Sequence, residues 1–191
     1  MSEAAKQIRE SIAVKERWLS SGGADQIERM VEVVVEALGA GSRLYVCGNG
    51  GSAADSQHIA GEFVGRFMKE RRALSCVALT TDTSVLTAVA NDYDFDAVFE
   101  RQVDAHVQEG DVLLAISTSG GSANVVRAVE KAKELGATTL ALSGREGGRL
   151  AEVADICMVA PAETSPRIQE VHITAAHILC DLVERRLFGE D

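Results

Sequence analysis

The apolar positions of this chain fall into two kinds of run that alternate along most of its length. Short, nearly unbroken runs occur at residues 44–47, 76–79, 111–116, 138–142 and 156–159. Runs so short, bounded by glycine, serine, threonine or aspartate, predict strands buried on both faces. Between and before them the apolar residues recur at the helical period. Ile8, Ile12 and Leu19 mark a helix over 4–19; Ile27, Met30, Val31, Val34, Val35 and Leu38 mark a second, capped by Asp25 and stopped at 39–41. A third starts at Ser52, whose side-chain oxygen is suited to N-capping. Short helices follow over 84–90 and, after the break Asn91-Asp92, to about 107. Val125, Val126, Val129 and Leu135 predict a helix ending at Gly136, and Leu150 with Val153 a brief one. The last helix starts with Ser165 as cap and Pro166 in its first turn and runs to about 188.

Strands alternating with helices imply an α/β fold: a doubly wound, five-stranded parallel sheet in three layers, preceded by two helices. Residues 1–191 are expected to form one domain, 41–191 supplying the sheet core and the last helix. The two helices of 1–40 have no preceding strand to cross over from, so an intersubunit bundle is expected of them.

Composition narrows the function. A formal charge of -10 and a pI near 4.9 argue against nucleic acid or an anionic membrane as partner. No apolar run approaches the ~20 residues of a membrane span, and the start lacks a signal-peptide core, so a cytoplasmic location is expected. Cys47, Cys76, Cys157 and Cys180 show no CxxC spacing and are expected to be buried and reduced.

Candidate chemistry gathers at two loops, each directly after a strand. Gly48-Asn49-Gly50-Gly51 opens onto a helix, and a glycine turn at a helix N-terminus is an anion site. His58 and Glu62 stand at i and i+4 on that helix, on one face, where they can bind metal, move protons or simply pair on the surface. Ser117-Thr118-Ser119, with Ser122, offers hydroxyls at a second strand-to-helix turn, suited to a phosphate monoester or to ordinary turn and cap duty. Gly48-x-Gly50-x-x-Ala53 also satisfies the dinucleotide fingerprint. The acidic residue due about 20 positions on is missing, however, with Asp82 some 30 positions away. Two such loops at one sheet edge favour a phosphosugar pocket.

In combination, CGNGGS, HxxxE on the following helix, NDYDF, LLAISTSGGSANV and RIQEVHxxxxH resemble the phosphoheptose isomerases of the sugar isomerase (SIS) domain family, over nearly the whole chain. The resemblance implies a homotetramer with one zinc ion per subunit, converting D-sedoheptulose 7-phosphate to D-glycero-D-manno-heptose 7-phosphate, early in ADP-heptose synthesis for cell-envelope polysaccharide such as lipopolysaccharide. It makes Glu62 the base, His177 its acid/base partner, and His58, Glu62, Gln169 and His177 the zinc ligands. Asn49, Gly50, Gly51, Asn91 and Asp92, with Glu62 and Gln169, would hold the sugar, and Ser52, Ser117, Thr118, Ser119 and Ser122 the phosphate. Glu62 is thus given two duties that compete, since a metal-bound carboxylate is a weaker base. Some relatives carry an acidic residue where this chain has Pro166, so a mechanism needing that group is not expected here. His172 is expected to be structural and His106 solvated; Asp55 and Arg66 could reach the pocket mouth or pair on the surface.

Two alternatives stay open. The stretches LTAVAND and LCDLVERRLF are shared with a noncatalytic SIS protein that docks on the bacterial replication initiator, although that protein lacks the pair equivalent to Glu62 and His177. An isomerase for a pentose or hexose phosphate is the other.

Overall fold

The computed structural model describes residues 1–189. Two helices lead, α1 (Glu3–Ser20) and α2 (Gly23–Gly39). The first half of the sheet follows as β1 (Leu44–Gly48), α3 (Gly51–Val64), β2 (Cys76–Ala78), α4 (Thr83–Asp92), a single 3-10 turn and α5 (Glu100–His106). The second half is β3 (Val112–Ser117), α6 (Ala123–Glu134), β4 (Thr138–Gly144), α7 (Gly148–Val153), β5 (Ile156–Ala160) and α8 (Ser165–Phe188). All five strands are parallel, in the order β2-β1-β3-β4-β5, as the alternating pattern predicts.

The strand period of two sorts side chains into two cores. Leu44 and Val46 of β1, with Val112, Leu114 and Ile116 of β3, pack under α2, α3 and α8. Tyr45, Cys47, Leu113 and Ala115 face the layer of α5, α6 and α7. Every residue of β1 and β3 is buried, so these strands carry no polar face. The four cysteines are free, and burial pushes the Cys47 thiol up to about 12. Among the described residues no helix is long and apolar enough to cross a membrane.

The leading helices divide in their roles. Ile27, Met30, Val31, Val34 and Leu38 of α2 are buried in this chain's own core. Helix α1 buries only Val14 and Trp18, and leaves Ile8, Ile12 and Leu19 exposed. Arg167 of α8 holds it by hydrogen bonds to Gln7 and Glu10.

Helix starts are where the structure departs from the sequence pattern. Asp25 lies in the first turn of α2, because the chain turns through Ser21-Gly22 and the helix restarts at Gly23. Ser52 lies inside α3: the Gly50 carbonyl accepts from the amides of Ala53 and Ala54, which leaves Ser52 buried in the first turn. Asn91 and Asp92 complete α4 instead of breaking it, and that helix is capped by Asp82, whose carboxylate accepts from the Val85 amide at 3.0 Å. Thr164 precedes α8, one residue before the predicted cap.

Two buried polar groups fasten α8. Glu184, 1% exposed, accepts from the backbone amides of Phe67, Met68 and Lys69 at 3.0, 2.8 and 2.7 Å and from Arg71 Nε at 2.8 Å. Burial pushes its carboxyl up; the amides and Arg71 outweigh that and hold it below the usual range. The second is His172, fully buried, whose Nε2 donates to the Ser143 carbonyl of β4 at 2.9 Å. Burial lowers its pKa from 6.5 to about 4, so it is neutral in the fold. The unfolded chain therefore takes up a proton that the folded chain refuses. Its contribution to stability is full above pH 6.5 and is lost as pH falls toward the folded value near 4. At pH 5 the loss is about 2 kcal/mol. Urea unfolding of wild type and His172→Gln at pH 7 and pH 5 checks this: the pH-dependent loss should be smaller in the variant by about that amount.

Candidate active site

β1 and β3 are neighbours, but their outgoing loops separate: β1 feeds α3 on one face and β3 feeds α6 on the other. That divergence opens a crevice at the carboxyl ends of the strands, the place where doubly wound sheets bind ligands. Both glycine- and serine-rich loops border it.

On the β3 side the hydroxyls converge. Ser117 Oγ lies 3.0 Å from Ser122 Oγ and 3.4 Å from Ser119 Oγ, and Ser119 Oγ accepts from the Gly121 amide at 3.2 Å. Ser122 stands at the N-cap position of α6, yet its hydroxyl makes no capping bond. Thr118 Oγ1 lies 3.5 Å from the hydroxyl of Ser165, the first residue of α8. The N-termini of α6 and α8 thus meet at this cluster, and both favour an anion. Gly120 lets the loop fold tightly onto its neighbour: a Cβ there would sit 1.9 Å from the Gly147 carbonyl oxygen.

On the β1 side, Gly51 opens α3 against α8. A Cβ at Gly51 would lie 2.3 Å from the side-chain nitrogen of Gln169, so a larger residue there would push that amide aside. Ser52 is buried directly behind. The Asn49 side chain is engaged with Asn124 of α6 through two reciprocal amide bonds, 2.8 and 2.9 Å.

Further along, α3 and α8 run side by side and bring the ionisable groups together. His58 Nε2 lies 2.9 Å from Glu62 Oε1, with the carboxylate about three-quarters covered. The His177 ring meets the His58 ring edge-on, centroids 5.1 Å apart, and the tilted Phe67 ring lies 5.8 Å from it. Glu62 is also near Cys180, one turn past His177: burial pushes that thiol up to about 12 and the carboxylate adds to it. Half-buried Asp55 completes the group; burial raises its carboxyl, and His58 and His177 pull it back down.

His58, Glu62 and His177 are thus brought together, and Gly51 with Gln169, although the two clusters lie about two helical turns apart. Asn91 and Asp92 are exposed at the end of α4, where their side chains bond to each other at 2.9 Å and reach neither cluster. His172 is buried in the fold and His106 is exposed, as their settings predict. Arg66 is exposed and faces Glu70 at 3.8 Å. Asn124, Ser165 and Phe67 touch or border the site without having been singled out by the sequence, while Asp55, one of the two residues that could reach the pocket mouth, does stand near His58 and His177. The one usable signal was Asn124, a polar residue directly before the apolar face of α6.

Imidazole, carboxylate and amide oxygen are donors that zinc accepts. His58, Glu62 and His177 supply two of these kinds within one cluster, and Gln169 the third at the neighbouring one. Among the described residues no group of three or more His, Cys, Asp and Glu side chains is gathered closely enough to hold a metal ion.

Comparison with known proteins gives a consistent answer. The SIS domain family model matches residues 8–144. A phosphoheptose isomerase of Clostridium acetobutylicum is 51% identical over 185 residues, 96% of this chain and 94% of that protein. One from Citrifermentans bemidjiense is 57% identical over 162 residues, 85% of this chain and 84% of that protein. The solved phosphoheptose isomerase of Neisseria gonorrhoeae superposes with a TM-score of 0.89 at 43% identity, covering 95% of this chain and 96% of that one. With identity of this order along nearly its full length, the chain belongs to the SIS domain family, among the phosphoheptose isomerases.

Proposed function

We propose that this enzyme interconverts D-sedoheptulose 7-phosphate and D-glycero-D-manno-heptose 7-phosphate through an enediol. The observations that carry the reading are the meeting of Glu62, His58 and His177 on the adjacent helices α3 and α8, and a cradle of hydroxyls at the N-termini of α6 and α8. A phosphate monoester bound by Ser117, Thr118, Ser119 and Ser122 would anchor one end of the sugar. The names of the relatives point to a C7 sugar.

Glu62 takes a proton from C1 of the ketose; the freed electron pair forms the C1=C2 bond, and the C2 oxygen takes a proton from His177. Glu62 then returns its proton to C2, and His177 recovers one from the C1 hydroxyl, leaving the aldehyde. His58 would hold the carboxylate of Glu62, about three-quarters covered, in one orientation for this transfer. Zinc, one per subunit, would be held by His58, Glu62, Gln169 and His177 only once their side chains drew in around it, since they are not gathered that closely here; bound there, it would supply Lewis-acid polarisation at the carbonyl oxygen. The exposed apolar residues of α1, Ile8, Ile12 and Leu19, suit burial between subunits of a homotetramer. Work in the cytoplasm, toward ADP-heptose, completes the reading.

Turnover of C5, C6 and C7 ketose phosphates, with metal content assayed on the same sample, tests it. The C7 substrate should lead in kcat/KM by at least about tenfold. Preference for a shorter sugar, or no turnover with zinc supplied, would contradict the proposal.

A further inference from the structure

The Asn49–Asn124 pair is not explained by the chemistry above. Asn124 is 2% exposed, in the first turn of α6, between the hydroxyl loop and the buried Val125. An apolar side chain would suit that position as well, so a buried amide needs a reason. Its partner stands in the other loop, across the crevice between β1 and β3. Each amide donates to the other's carbonyl, at 2.8 and 2.9 Å, so the two planes are fixed in distance and orientation.

We infer that Asn124 is a positioning residue: with Asn49 it forms a strut that sets the spacing between the hydroxyl loop and the glycine loop that begins α3. This rests on the functional reading above, since the spacing matters only if one molecule bridges both loops. The phosphate would sit on residues 117–122, while the proton-moving groups ride on α3. A substrate held at both ends reacts only if that separation is right, and displacement by an ångström costs up to about a hundredfold in rate. Inorganic phosphate needs only the hydroxyl loop, so it reports that loop alone.

The test compares Asn124→Ala, Asn49→Ala and the double variant with wild type, using sedoheptulose 7-phosphate as substrate and inorganic phosphate as competitive inhibitor. Each single variant should lose about tenfold to a hundredfold in kcat/KM. The double variant should be no worse than the weaker single, because the pair acts as a unit. The Ki for phosphate should stay within about twofold of wild type, because the hydroxyl loop itself is intact. Thermal stability should move differently: Asn49→Ala strands the buried amide of Asn124, and the double strands none, so the double is more stable than Asn49→Ala without regaining activity. Should a single variant fail to fold, the double carries the test. Recovery of activity together with stability, losses that add in the double, a Ki that rises with KM, or unchanged kcat/KM would each overturn the strut. A wild-type enzyme without turnover contradicts the functional reading; normal wild-type turnover with unaffected variants contradicts the strut alone.

Discussion

Glu62→Gln should lower kcat and kcat/KM together, by between about 10²- and 10⁴-fold, with KM close to that of wild type. The substitution keeps the shape and an oxygen for the His58 contact at 2.9 Å, but it removes the basic carboxylate. A group that acts only while the C–H bond is breaking affects the transition state and not the ground-state complex, hence the matched losses. The side chain is a quarter exposed and is not sealed in a core, so the thermal midpoint should barely move. Steady-state kinetics with thermal unfolding on the same preparation decides the matter. A variant with wild-type kcat would remove Glu62 from the chemistry, and a rise in KM alone would make it a binding residue only.

Arg71→Ala and Glu184→Ala should each cost about 3–5 kcal/mol, a large part of a typical domain's total stability. The two side chains are 2% and 1% exposed, so either survivor would be left as a buried charge without its partner. The damage extends beyond the pair. Arg71 also donates to the Glu62 and Phe63 carbonyls at 2.8 Å each, closing the last turn of α3, while Glu184 gathers three successive amides of the loop that follows. That loop carries Phe67 against His177, and the clamp therefore also backs the acid/base cluster. Urea unfolding measures the cost. A loss below about 1 kcal/mol would mean that water replaces the pair cheaply and the clamp is unimportant.

The sheet was legible in the sequence because parallel strands are buried on both faces and leave unmistakable apolar runs. Residues 112–116 had no other plausible fate, and the two polar loops after β1 and β3 marked the ligand edge without any knowledge of packing. Helix starts were less legible: Ser52 has the chemistry of a cap, but Gly50 takes that position because the loop turns there. Pairings between distant segments were invisible. Arg71 and Glu184 stand 113 positions apart in charged surroundings that look solvated, and nothing local distinguishes them from surface residues. Asn49 and Asn124, 75 positions apart, are hidden in the same way. The His58–Glu62 pair was visible from its spacing, whereas Phe67 against His177 depends on how α8 lies along α3. Helix α2, which no strand precedes, packs on the same face of its own sheet as α3 and α8, a placement that its apolar period alone does not specify.

The claim that these residues move a proton between adjacent carbons is tested most directly by running the reaction in D2O. Over repeated turnovers wild-type enzyme acting on sedoheptulose 7-phosphate should wash solvent deuterium into C2 of the aldose, because the proton held on Glu62 exchanges with solvent while the enediol is bound, and Glu62→Gln should give almost none in the same time. A Glu62→Gln variant that forms the aldose, or places deuterium at C2, as fast as wild type would contradict proton transfer through Glu62.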